Sequence, residues 1–180
     1  MEVRALKDVK SGDEIFTSYW EDPAGTTAQR QQHLGFYGFQ CTCTACTNPT
    51  ADHLYLKLVS SHDQLDSSYN AWLKDRTLPD DHITKPSLLW VSLIEQLGLP
   101  RKMIYYNYLD VIVKSYIALG DLENSVKYGT RLARWMVAMT GLERVLEERS
   151  DPNYYLRNGS FGVRKGRAGK TKTRGKGKAA

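Results

Sequence analysis

Outside one window of six residues the chain has no cysteine; Cys41, Cys43 and Cys46 are its whole complement among 180 residues. Long apolar runs are missing as well. No stretch approaches the roughly 20 residues needed to cross a bilayer. The opening "MEVRALKDVK" lacks the apolar segment of a secretory signal. Together these absences point to a reducing compartment, nuclear or cytoplasmic, where clustered cysteines are metal ligands more often than disulfides. Acidic residues are missing from Arg157 onward, a stretch with nine Lys+Arg. The net charge of +5 therefore hides a division, because residues 1–156 hold sixteen Lys+Arg against twenty Asp+Glu. The body is mildly acidic and the tail strongly basic. With 41% apolar residues the body can still bury a core.

Strand-forming sequence is scarce. Only residues 2–20, "EVRALKDVKSGDEIFTSYW", read as a β hairpin. Val3, Ala5 and Leu6 fall in a first strand, Ser11-Gly12-Asp13 supplies the turn, and Ile15, Phe16, Thr17 and Tyr19 favour a second strand. Two strands alone are marginal in water, and nothing later in the chain offers them a β partner.

The remainder reads as helix. Residues 26–34, "TTAQRQQHL", predict a short helix capped by Thr26 or Thr27. Leu54, Leu58 and Leu65 share a helical face. Residues 66–86, with Pro79 and Pro86, read as a linker around a short helical piece near Trp72. Leu89, Leu93 and Leu97 repeat every four residues before Gly98 and Pro100. The clearest helix runs from about Met103 to Leu119, with Tyr105, Leu109, Ile112, Tyr116 and Leu119 on one seam. Gly120-Asp121 breaks it, and a second helix through Leu122, Val126, Ala133 and Met136 extends to Gly141. The pair predicts an αα-hairpin. Its segment "SYIALGDLENSVKY" resembles a tetratricopeptide (TPR) unit, with Tyr116, Gly120 and Ser125 near the expected spacing. Trp72, Trp90 and Trp135 read as core or interface residues, and Glu143, Arg144, Glu147 and Arg149 as a solvated helix face. The closing "GVRKGRAGKTKTRGKGKAA" is low in complexity and predicts disorder, with a surface suited to nucleic-acid phosphates.

Cys-x-Cys-x2-Cys is a tight loop able to wrap one soft cation. Thiolates suit zinc, and a structural zinc site is four-coordinate and closed. Three cysteines leave one position open. His33, His53, His62 and His82 are the internal candidates; His53 lies seven residues beyond Cys46, but nothing in the pattern singles it out. The fourth ligand otherwise comes from upstream of Met1 or from another chain. Three reduced cysteines without a metal remain the plain alternative. A thioredoxin-type redox site is disfavoured, since it wants Cys-x-x-Cys beside a βαβ pattern that the chain does not have.

The order of these motifs resembles one family. "VRALKDVKSGDEIFTSYW" resembles the closing strands of a SET domain, with its Gly-Asp-Glu-Ile turn and terminal tyrosine. "YGFQCTCTAC" resembles the post-SET segment, in which an aromatic-Gly-Phe leads into the zinc-binding cysteines. With the helical region, this is similar to the SMYD-like branch of the SET-domain protein-lysine methyltransferases. The likeness is strong over residues 2–48 and general in character over 51–148.

The resemblance implies transfer of a methyl group from S-adenosylmethionine to lysines of a protein substrate, often a histone, with no membrane partner. It implies that Tyr19 is the active-site tyrosine, in contact with the cofactor. Tyr37 would be a second catalytic aromatic beside the lysine channel, and Phe39 would stack on the cofactor's adenine. Cys41, Cys43 and Cys46 would be three zinc ligands, the family's fourth being the cysteine of an upstream Asn-His-Ser-Cys motif. That motif and the family's early Gly-x-Gly stretch do not occur at the matching places in these 180 residues. The expectation is a C-terminal part of such an enzyme, inactive alone. Its fold would be mainly α with a small β part: SET remnant 1–36, cysteine loop 37–50, TPR-like region 51–150 and basic tail 157–180. The competing expectation is a non-enzymatic helical interaction module whose tail contacts nucleic acid.

Overall fold

The computed structural model describes residues 9–15, 26–97 and 103–164. Among them the chain is mainly α, with no strand. The first strand of the expected hairpin (residues 2–8) and all of the second but Ile15 lie outside the described residues; Ile15 is exposed and not in a strand, and a turn falls at Ser11-Gly12. Asp13 N–H donates to Lys10 O at 3.0 Å, Lys10 N–H to the Asp13 carboxylate at 2.9 Å, and Gly12 takes φ 92°. A turn with positive φ at its third residue calls for glycine there.

The helix at α1 (Thr27–Gly35) starts as predicted. The Thr26 hydroxyl accepts from Gln29 N–H, and the Gln29 side chain accepts from Thr26 N–H at 2.8 Å, a reciprocal cap. A single turn, α2 (Thr44–Thr47), follows within the cysteine segment. Next come α3 (Ala51–Asp63) and α4 (Leu65–Lys74), separated only by Gln64. Most of α4 falls within the stretch read as a linker, where the short helical piece expected near Trp72 proves longer. Its Asp and Ser residues mask a helix anchored by Trp72, which is wholly buried and donates its indole N–H to Pro79 O at 2.9 Å.

The leucine repeat falls in α5 (Thr84–Gln96). The helix buries Ser87, Val91 and Ile94, while Leu89 is 68% exposed. The leucines mark a different face from the one the core uses; Leu97, just past the helix, is buried. Gly98 and Pro100 lie outside the described residues.

At the centre is α6 (Met103–Leu119). The expected seam is only part of its buried surface. Ile104, Tyr108, Val111, Val113, Ile117 and Ala118 are buried too, because α4, α5 and α7 all pack on it. A helix covered on several sides carries no clean apolar stripe. Gly120-Asp121 then turns the chain into α7 (Leu122–Thr140), completing the αα-hairpin. The Asp121 carboxylate caps α7 by accepting from Asn124 N–H at 3.1 Å, and Gly141 ends it in the left-handed region at φ 78°. The ion pair of Glu95 with Arg131, both bonded to the Tyr105 hydroxyl, ties α5, α6 and α7 together.

Two short helices close the body, α8 (Arg144–Ser150) and α9 (Pro152–Leu156). Glu143, Arg144 and Glu147 face solvent as expected, whereas the Arg149 guanidinium sits 4.8 Å from the Tyr154 ring centre. The first residues of the basic segment are seated on the core. Gly162 N–H and Arg164 N–H donate to Ile117 O and Ala118 O, each at 2.7 Å, and so take up carbonyls at the end of α6. Arg164 is 7% exposed. Its guanidinium lies 4.1 Å from the Trp72 ring centre and donates to the carbonyls of Trp72, Asp75 and Leu78. The remainder of the predicted tail, residues 165–180, lies outside the described residues.

Gly129 of α7 is required by a close approach. A Cβ there would stand 1.6 Å from the hydroxyl oxygen of the fully buried Tyr155, which donates to Arg149 O at 2.7 Å. Alanine would gain about 1 kcal/mol of helix propensity, but the clash should outweigh it. Gly129→Ala is expected to lower stability by a net of about 1–3 kcal/mol in urea unfolding. Adding Tyr155→Phe, which removes the nearest clashing atom, should make the double variant more stable than the two single losses predict.

Candidate metal centre

The cysteine loop is built on α1. After His33 the chain tightens: Tyr37 N–H donates to Leu34 O and Gly38 N–H to Gly35 O, each at 3.0 Å. Gly38 then adopts φ 75°, and the segment returns alongside α1. There the Gln31 amide pairs with both backbone groups of Cys41. It donates to Cys41 O at 2.6 Å and accepts from Cys41 N–H at 3.0 Å, as a neighbouring strand would. Beyond it, Cys43 O accepts from Cys46 N–H at 2.8 Å and from Thr47 N–H at 3.0 Å. This brings the second and third cysteines to one side of a single helical turn.

The result is convergence. The sulfurs of Cys41, Cys43 and Cys46 all lie within 4.8 Å of one another. Tetrahedral geometry with zinc–sulfur bonds of about 2.3 Å needs sulfur separations of about 3.8 Å, so small side-chain rotations suffice. The residues fit a soft divalent cation in both donor type and spacing. No histidine, aspartate or glutamate among the described residues completes the group, and His53 lies exposed on α3 outside it.

Charge within the cluster is uneven. Burial raises the Cys43 thiol pKa, but hydrogen bonds from the Cys41 side chain and from the backbone of Cys46 and Ala45 outweigh it, and the net shift is downward. At Cys46 burial dominates; the Arg30 side chain works against it, but repulsion from Cys43 adds to it, and the thiol is pushed up to about 11.

Arg30 and Gln31 were not legible as site residues, because no spacing rule links a helix to a loop that folds back on it. Arg30 donates to Thr27 Oγ1 at 2.8 Å and to Ala45 O at 3.0 Å. Asp52 of α3 accepts from Thr27 N–H and hydroxyl at 2.7 and 2.8 Å, joining α1 to α3. Tyr37 and Phe39 lie on the connector between α1 and the cysteines, 55% and 42% exposed. The His33 ring stands 6.0 Å from that of Tyr37. Tyr19 lies outside the described residues.

Against known proteins the chain is 38% identical over 65 residues to N-lysine methyltransferase SMYD2-B of Danio rerio. It is 36% identical over 62 residues to N-lysine methyltransferase SMYD2 of Gallus gallus. To histone-lysine N-methyltransferase set5 of Schizosaccharomyces pombe it is 23% identical over 137 residues. Over part of its length the chain is similar to lysine methyltransferases. Its matches cover 36%, 34% and 72% of its own length, but only 15%, 14% and 41% of theirs. A match over 72% of this length necessarily takes in about residues 51–130, so the likeness to the fission yeast protein includes the helical body. No protein-family profile matches the chain, and no solved structure does. No helix among the described residues is long and apolar enough to cross a membrane.

The thiol asymmetry is directly measurable. A lowered pKa leaves more thiolate at neutral pH, and the thiolate is the nucleophile. In the metal-free chain, limiting iodoacetamide at pH 7 should label the exposed Cys43 first and Cys46 last. Peptide mapping by mass spectrometry reads the order; preferential labelling of Cys46 would refute it.

Proposed function

We propose that this chain is the C-terminal part of a SET-domain, S-adenosylmethionine-dependent protein-lysine N-methyltransferase acting in the nucleus or cytoplasm. Residues 1–36 belong to the SET domain, 37–50 form its post-SET zinc loop, and 51–150 are a TPR-like helical region. The observation that carries this reading is the convergence of three sulfurs within 4.8 Å, directly behind Tyr37-Gly38-Phe39. The partial similarity to lysine methyltransferases supports it.

S-adenosylmethionine, when bound, supplies an electrophilic methyl group on a sulfonium. The residues of the chain have three tasks. Tyr19 and Tyr37 wall a channel for the substrate lysine. Such a wall desolvates the ammonium and favours the neutral, nucleophilic amine, and its ring faces still tolerate a cation. The Tyr19 hydroxyl orients the amine on the line of displacement, where most of the rate arises. Phe39 offers an exposed ring, suited to stacking on a purine. Cys41, Cys43 and Cys46 would hold zinc, whose part would be structural, fixing the loop that carries Phe39.

A chimera tests this reading. When the chain replaces the matching region of the fission yeast relative, the product should bind one zinc ion and methylate histones. Tyr19→Phe should then lower kcat roughly 100-fold. A chimera that folds and binds zinc yet transfers no methyl group would sink the proposal. The 180 residues by themselves should transfer none, since they hold no Asn-His-Ser-Cys motif.

A second reading, a helical interaction module that contacts nucleic acid through its tail, is favoured by the seating of Arg164. It fixes the point from which residues 165–180 depart, with seven Lys+Arg and no acid. Removing residues 165–180 should then abolish binding to duplex DNA and its steep salt dependence, about −0.9 in log–log slope per neutralised phosphate. Unchanged binding after the deletion would exclude the tail.

A further inference from the structure

The thiol cluster is not held by its own loop alone. Two consecutive side chains of α1 reach it at its two ends. Gln31 grips the backbone of the first cysteine through both amide groups, at 2.6 and 3.0 Å. Arg30 grips the last turn, donating to Ala45 O at 3.0 Å, and its charge opposes the burial of the neighbouring Cys46 thiol.

We propose that Arg30 and Gln31 are positioning residues of a thiolate–metal centre. Gln31 fixes the backbone that carries Cys41, and Arg30 supplies a fixed positive charge facing Cys46. This inference rests on the metal part of the function proposed above.

Charge balance gives Arg30 its role. Three thiolates around a divalent cation leave a net charge of −1, which favours a nearby cation. The Arg30 side chain is only 15% exposed, so little water screens it from the sulfur. Its hydrogen-bond acceptors Thr27 Oγ1 and Ala45 O are neutral. Its acidic neighbour, Asp52, stands farther off at 3.8 Å, and the oxygen nearest Arg30 already accepts from Thr27 N–H and hydroxyl. Asp52 therefore orients the guanidinium and leaves much of its charge directed at the cluster. The planar fork matters as well, because it bonds a carbonyl and faces a sulfur at once, which a lysine ammonium does less well.

Gln31 acts through geometry. A loop with three ligands in six residues has few long-range contacts of its own, and this amide supplies the cross-link that a β neighbour would. Outer-shell partners of this kind typically change metal affinity 10–100-fold.

The test uses the full chain and its Arg30→Met, Arg30→Lys, Gln31→Ala and Asp52→Asn variants, with zinc affinity measured by competition against a chromogenic chelator. Cobalt(II) provides a second signal through its thiolate-to-metal charge-transfer bands, and urea unfolding of the metal-free proteins checks the fold. Arg30→Met and Gln31→Ala should each weaken zinc binding 10–100-fold. Arg30→Met should also shift the charge-transfer band, and Arg30→Lys should recover part of both losses. Unchanged affinity and spectra in Arg30→Met and Gln31→Ala would overturn the inference while leaving the metal reading intact. Asp52→Asn matching Arg30→Met in affinity, with no band shift in either, would also overturn it, making Arg30 a mere tie between α1 and α3. Failure of the unaltered chain to bind zinc or cobalt would overturn both readings.

Discussion

Everything in the helical body follows from one constraint: α6 is buried on most sides and meets water only along a strip through Met103, Asp110 and Lys114. Leu109 and Ile112 on its predicted seam are fully buried, and so are Val111 and Ala118 away from it. A helix of this kind cannot stand alone, because its exposed apolar surface would cost about 25 cal/mol per Å². It needs neighbours on several sides, and α4, α5 and α7 are those neighbours. Its end needs partners too. The carbonyl of Ala118 takes the N–H of Arg164, and that of Ile117, which already accepts from Gly120 N–H, takes a second bond from Gly162 N–H. The chain beyond α9 is thus drawn back to the centre, and Arg164 lies over Trp72 as a consequence.

The thiol loop depends on this body through α3. The first part of α3 serves the loop: Ala51 and Tyr55 are buried outside the main core, and Asp52 binds the start of α1. Farther along, Leu58 belongs to the main core. One rigid helix therefore carries the position of the α5–α6–α7 assembly to the element that holds the cysteines. Order passes from the core to α3, from α3 to α1 through Asp52 and Thr27, and from α1 to the sulfurs through Arg30 and Gln31.

What could be read from sequence was whatever local chemistry decides. Thr26 and Gln29 stand at capping-box spacing, and α1 begins there. Gly120-Asp121 breaks one periodic pattern and caps the next, and α6 and α7 end and start on either side of it. The three cysteines stand at ligand spacing, and their sulfurs converge. What escaped was decided by distant contacts. Helix α4 is polar along much of its length and is held by Trp72 against a loop and Arg164, so only a short helical piece near Trp72 showed within what read as linker. The leucine repeat in α5 was real, but its face was chosen by α6 and fell on Val91 and Ile94 instead. Arg164 sits in a basic, glycine-rich context that signals disorder; only the carbonyls of a helix more than forty residues earlier explain why it is buried.

The same division explains why the cluster has three sulfurs and not four among the described residues. Three ligands within six residues can be gathered by one turn of helix and one glutamine clamp, with little chain entropy lost in closing so short a loop. A fourth ligand from within that loop would add coordination but no connection. A ligand from elsewhere costs more entropy, and in return it anchors the loop to whatever surface supplies it. A metal closed on its own loop would stiffen the loop without fixing its position. The clamps from α1 secure one side of the cluster to the helical body. A fourth ligand from elsewhere would secure the opposite side.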